Sequence, residues 1–240
     1  MPPGDECRFH YSHLESALKA VVKRKLTRED AIMADSNTGT RTLILVGDTS
    51  LPHSVRLCSS YDANIWCIWQ VGCATASAPQ LFEAIKVFPP GDNTFAAPGI
   101  QFSNPAEIAL REASRIWTTS TRSCLVSIGT APPNPLTSFI EPNWLPSGPF
   151  PGRGAVNRIA QHCVDLAQSS MVTHYRLLQL STSKDPDRPF SYYRFNIQGN
   201  LELEEMNQEE HIALRTAHYM RRNSNLNKCV QDLMDSSSRN

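Results

Sequence analysis

What this sequence lacks narrows it first. Its 23 basic and 23 acidic side chains cancel, and without a basic surplus the chain is a poor electrostatic match for nucleic acid. None of its seven cysteines stands in a Cys-x-x-Cys pair. Zinc-type spacing is therefore missing, and neither a metal nor a cofactor is expected. No run is long and apolar enough to span a bilayer, and the opening residues MPPGDECRFH hold no apolar signal-peptide core. There are no internal repeats. Nor is there a Gly-x-Ser-x-Gly anywhere, the turn that projects a serine nucleophile from a strand into a helix.

What is present fits one ordinary soluble domain: 240 residues, 40% of them hydrophobic, are enough for a real core. Cys7, Cys58, Cys67, Cys73, Cys124, Cys163 and Cys229 are odd in number and mostly lie in apolar patterns, where a free thiol acts as a small hydrophobe. A reducing compartment, the cytoplasm, follows as the expected location.

The stretch from Trp66 to Thr130 organises the chain. Ile65, Ile68, Trp69, Gly72, Cys73 and Ala76 recur at helical spacing over Asn64 to Ala78, and Pro79 stops the pattern. Leu81 to Phe88 is strand-like. A loop, TFAAPGIQFSNP, leads to Asn104-Pro105, where Asn104 can cap free N–H groups and Pro105 suits a first turn. Leu110, Ala113, Ile116 and Trp117 continue an apolar helical face. Cys124 to Ile128 reads as a strand buried on both faces. Strand, helix, strand implies a βαβ crossover and a parallel sheet.

Around this stretch, Ser12 to Lys25 reads as a helix, with Ser12 and Glu15 as a capping pair and Lys23-Arg24-Lys25 as a last turn that suits the helix dipole. Thr42 to Val46 is a buried-type strand and Val55 to Ser60 a second one. His53 and Cys58 could pair as base and nucleophile, but no acid is placed to orient them. Residues 131–152 are a Pro-rich loop, which could also dock to a groove that reads extended proline segments. Arg153 to Met171 and Thr173 to Leu180 are helical, Tyr192 to Ile197 is a strand, and Met206 to Met220 and Leu226 to Met234 are helical again.

The residues also carry a family resemblance. Trp69, Ala74, Thr75, Ala78 and Pro79, then Phe102, Asn104 and Pro105, then Leu125 to Thr130 resemble three motifs of a patatin-like phospholipase domain of the fungal type, in its C-terminal part. The resemblance implies a partial three-layer α/β fold: a mainly parallel sheet with helices on both faces. It divides the chain into 1–131, the C-terminal part of the domain, a Pro-rich loop at 132–152, and a helical extension at 153–240.

It also implies lipid acyl hydrolysis by a serine and an aspartate. The serine must lose its proton to a base, and fixed donors must meet the oxyanion. The parts are missing here. The family's aspartate falls at Ala97, its helix arginine at Cys73, and the glycine after Gly-Thr at Ala131. The chain is expected to begin beyond the nucleophile segment. Asp92, five residues before Ala97, could replace the base only in a re-threaded loop, and Gly91-Asp92-Asn93 also reads as a turn.

The expectation is a domain inactive by itself. The alternative is half of an active lipid acyl hydrolase, completed by another segment or chain. Phe95, Ile100 and Phe102 are the candidates for a remaining pocket wall that meets a lipid or acyl chain. A protein partner covering an incomplete sheet is the other expected contact.

Overall fold

The apolar run TLILV forms a strand because its β-branched and leucine side chains fit a pleated, half-buried surface. It lies in β1 (Leu43–Asp48), which is zipped to β2 (Val55–Ser59) with Gly47 opposite Val55 and Leu43 opposite Ser59. The structure is a computed structural model that describes residues 9–35, 39–51, 54–62, 65–78, 82–87, 93–98, 102–117, 123–129, 170–183, 190–197 and 209–237. It falls into two compact units, Met1–Gln101 and Phe102–Asn240. Together they are a mixture of helices and two small sheets, one antiparallel and one parallel.

In the first unit, β3 (Ile85–Lys86) and β4 (Thr94–Ala96) complete a sheet of order β2-β1-β4-β3. Every pairing in it is antiparallel. This corrects the expectation of a mainly parallel sheet in two ways. The segment expected to be loop supplies β4, and β3 pairs with β4 rather than with the strand at 124–128. The connection over residues 87–93 explains the sense: it is shorter than the dozen or so residues a parallel crossover needs.

Helix α1 (Tyr11–Leu26) and helix α2 (Ile68–Ala76) pack on each other, and α2 packs on β1 and β4. The cap of α1 differs from the expected pair. His10 is the N-cap, its Nδ1 accepting from the Ser12 N–H, while Glu15 pairs with Lys19 one turn on. Lys23, Arg24 and Lys25 occupy the last turn, where cations suit the dipole. Where the helices meet, Gly72 is required by close approach: a Cβ there would stand 3.1 Å from Leu18 Cδ1.

The core of this unit gathers Met33, Val46, Cys58, Trp66, Val71, Cys73, Ile85, Val87 and Phe95. Trp66 and Phe95 meet edge to face with centroids 4.7 Å apart, the arrangement that puts a ring's positive edge on its neighbour's negative face. The Arg56 guanidinium lies over both rings, at 5.5 and 5.6 Å.

The second unit is built on β5 (Ser123–Gly129) and β6 (Phe190–Asn196), parallel and in register from Ser123 opposite Phe190 to Gly129 opposite Asn196. Helix α3 is Ala106–Ile116, α4 is Ser170–Thr182, α5 is Glu209–Arg222 and α6 is Asn225–Ser237. Leu125 and Tyr192 turn to one side of the strand pair, against Ala106 and Leu110 of α3 and Leu177 of α4. Tyr193 turns to the other side, where its phenol donates to Asp232 of α6 at 2.7 Å. The expectation that β5 is buried on both faces is corrected: Ile128 is 82% exposed near its end. The Pro-rich loop at 132–152 and most of the helix expected from Arg153 lie outside the described residues.

Phe95 is 2% exposed, so it serves as a core anchor. Phe95→Ala is expected to destabilise the chain by about 3–5 kcal/mol, the usual cost of emptying a buried aromatic site. Urea titration followed by tryptophan fluorescence would measure it.

Candidate functional site

The position that matches the family's base is tied down by its backbone. The Ala97 N–H donates to the Ser77 carbonyl at 2.9 Å. Ser77 itself is fully buried, and its hydroxyl donates to the Cys73 carbonyl at 2.7 Å, at the C-terminal end of α2. Cys73, where the family has arginine, is buried, and desolvation pushes its thiol up to about 11. A protonated thiol and a methyl group therefore stand where the resemblance places a guanidinium and a carboxylate. Gly47 of β1 lets the chains pack here: a Cβ on it would stand 3.2 Å from the Ala96 carbonyl oxygen.

The other sequence candidates disperse. Phe95 belongs to the core of the first unit, while Phe102 is half-buried in the second. Asp92, Ile100 and His53 lie outside the described residues. Cys58 is fully buried, which suits packing rather than attack on a substrate.

Two hydroxyl–carboxylate pairs in the first unit have the right atoms for a serine and its base. Ser50 Oγ donates to Asp48 Oδ1 at 2.5 Å, and Ser59 Oγ to Asp62 Oδ2 at 3.1 Å. Both close turns between near neighbours. The Ser50 N–H bonds the same Asp48 oxygen, and the Asp62 N–H bonds the Ser59 hydroxyl. These are the local side-chain-to-backbone bonds that Ser and Asp make wherever a turn is needed.

The densest polar constellation is in the second unit. Asn104 is buried one residue before Pro105, which is the N-cap of α3 in place of the expected Asn104, and its Oδ1 accepts from the Ala106 N–H. The same oxygen accepts from the Ser127 hydroxyl on β5 at 3.1 Å. Asn104 Nδ2 donates to the Ser170 carbonyl on α4. Arg194 of β6 lies opposite Ser127. Its Nη1 donates to Ser127 Oγ at 2.6 Å and its Nη2 to Ser170 Oγ at 2.8 Å.

Four residues from two strands, a helix and a helix entrance thus share one hydrogen-bond network. Among the described residues no carboxylate pairs with Arg194, and its buried Nε has no hydrogen-bond partner. Among the described residues its charge is held by neutral oxygens. Gly129 is what admits it, because a Cβ there would collide with Asn196 Oδ1 and stand 2.7 Å from Arg194 Nη2.

The field of this guanidinium reaches His174 on α4, whose ring nitrogen bonds the Tyr192 hydroxyl at 3.2 Å. Burial first, and the Arg194 charge second, hold the imidazole below its ordinary pKa of 6.5. Sequence reasoning found Asn104 but missed Ser127, Ser170 and Arg194 as a set. The available signal was the alternation of β6, which puts Tyr192, Arg194 and Asn196 on one face.

Among the described residues neither Ser127 nor Ser170 has an imidazole or carboxylate among its hydroxyl partners, so none of these supplies a base to take the proton.

No protein-family model matches this chain, and no curated protein matches it. Among the described residues no cluster of His, Cys, Asp or Glu could hold a metal ion, and no helix is long and apolar enough to cross a membrane.

Two outcomes are expected. Ser127→Ala leaves Arg194 Nη1 and Asn104 Oδ1 short of a partner in a buried site, and should cost about 1–3 kcal/mol in urea unfolding. The unfolded chain takes up a proton on His174 near 6.5, while the folded chain resists. The fold therefore loses stability as pH falls below that value, until the lowered folded pKa is passed. His174→Gln should show a smaller drop in melting temperature than the wild type between about pH 7.5 and about pH 5.

Proposed function

We propose that this chain is a patatin-like domain, in its C-terminal part, that does not hydrolyse esters and serves as a binding or interaction module. The observation that carries the reading is Ala97: the family's proton acceptor is replaced by a methyl group on a backbone hydrogen-bonded to the end of α2. The 240 residues also contain no Gly-x-Ser-x-Gly. Without an attacking oxygen and its base, acyl transfer has no route.

Support for the resemblance itself comes from two of its motifs. Asn104-Pro105 opens α3, and the run Leu125 to Gly129 forms most of β5, joined to Asn104 by the Ser127 hydroxyl. These residues build the scaffold rather than the chemistry, so they outlast a catalytic role. A parallel strand pair with α3 and α4 on one face and α6 on the other is in keeping with a three-layer arrangement. The antiparallel sheet of the first unit departs from it. The proposed contacts are a lipid or acyl chain and a protein partner along the sheet. The proposed setting is the cytoplasm, on the strength of the free thiols at Cys58, Cys67, Cys73, Cys124 and Cys229.

The test uses the whole chain with a serine-reactive fluorophosphonate and with p-nitrophenyl acyl esters. The expected result is no labelled serine and turnover equal to that of buffer. Labelling or turnover that is lost on replacing one serine of this chain, Ser50→Ala included, would overturn the reading.

A further inference from the structure

A groove of about 510 Å³ opens where β6 ends, lined by Ile197, Arg215, His218, Tyr219, Arg222 and Asn223, with Ser224 beside them. Among the described residues that line it, three side chains are basic and none is acidic. Arg215, His218, Tyr219 and Arg222 follow one another on α5 at positions i, i+3, i+4 and i+7, which a helix turns to a single face. The face is locked in place at one point: the Asn196 N–H of β6 donates to the Tyr219 hydroxyl at 3.2 Å. The groove thus sits beyond the C-terminal end of a parallel strand, where α/β sheets bind their ligands.

The far wall adds to the same sign of potential. Asn223 and Ser224 lead into α6, and Asn223 Oδ1 accepts from the Asn225 N–H. The first turn of α6 carries no acidic residue, so the helix itself supplies no carboxylate to the positive end of its dipole. Among the described residues Arg222 makes no ion pair, and His218 has no hydrogen-bond partner.

A plain structural role exists for one of the charges. Arg221 and Arg222 stand in the last turn of α5, where cations suit the dipole. That role does not need His218, nor a histidine on one wall with Arg222.

We propose that this groove is a binding site for a phosphate-type anion. Arg222 acts as the charged clamp, His218 and the Tyr219 hydroxyl as further donors, and the α6 N-terminus as a fixed positive wall. A guanidinium's planar fork matches phosphate oxygens, which selects tetrahedral oxyanions over halide. The proposal does not depend on the patatin reading, since α5 and α6 carry none of the residues on which that reading rests.

The experiment titrates the whole ¹⁵N-labelled chain with inorganic phosphate, and with chloride at matched ionic strength, followed by amide shifts. The expected result is saturable movement of residues 215–226 with phosphate and not with chloride. Arg222→Gln should weaken it by about tenfold, the equivalent of one charge-assisted hydrogen bond, and Arg222→Lys by less. A parallel arm sediments the chain with phosphatidic acid vesicles and with phosphatidylcholine vesicles. Capture by the first alone, reduced by Arg222→Gln, assigns the phosphate to a lipid headgroup; phosphate binding without capture assigns it to a soluble ligand.

Linear shifts equal in phosphate and chloride would overturn the proposal. So would phosphate affinity unchanged by Arg222→Gln in a variant that melts earlier, which is the signature of the dipole role alone.

Discussion

A half-buried guanidinium with no carboxylate opposite it among the described residues is met by oxygens that accept without charge, and that constraint shapes the second unit. Arg194 draws Ser127 from the neighbouring strand and Ser170 from α4. Ser127 in turn reaches Asn104, which opens α3. Buried charges are tolerated only when such bonds replace water. Each element at this end of the strand pair is therefore positioned by the need to satisfy one side chain, and Gly129 is small because the network leaves no room for a Cβ.

The second unit also holds other groups that respond to charge. The imidazole of His174 is held neutral by burial and by the guanidinium. Beyond the end of β6, the groove on α5 faces solvent with two further arginines and a histidine. Basic side chains line that groove among the described residues although the chain as a whole is neutral. Net charge described the average and concealed the local field, which is what a ligand meets.

The first unit is governed by packing. Trp66 and Phe95 interlock, and strand pairing and helix contacts close around them. The position matched to a catalytic carboxylate lies in a stretch whose backbone bond to Ser77 secures α2 against β4. That bond is made by main-chain atoms, so it does not depend on the side chain that stands at position 97.

Several elements were legible from local pattern alone. The stripe over Ser12 to Lys25, the runs at 42–46, 55–60, 124–128 and 192–197, and the Asn104-Pro105 helix start all became the elements they resembled. The cap of α1 was not legible, since histidine and serine compete for it and only geometry chose His10. Phe95 looked like a pocket wall because an aromatic in a loop and one in a core read alike; strand pairing made it core.

By itself the sequence determined most of the helices and strands, though not β4, together with the absence of a serine elbow and the methyl at position 97, because these depend on spacing and residue type. Tertiary structure alone decided which strands pair, in which sense, and that Asn104, Ser127, Ser170 and Arg194 meet. Those outcomes depend on contacts between segments far apart in the chain, and no local pattern encodes which distant partner will satisfy a buried donor.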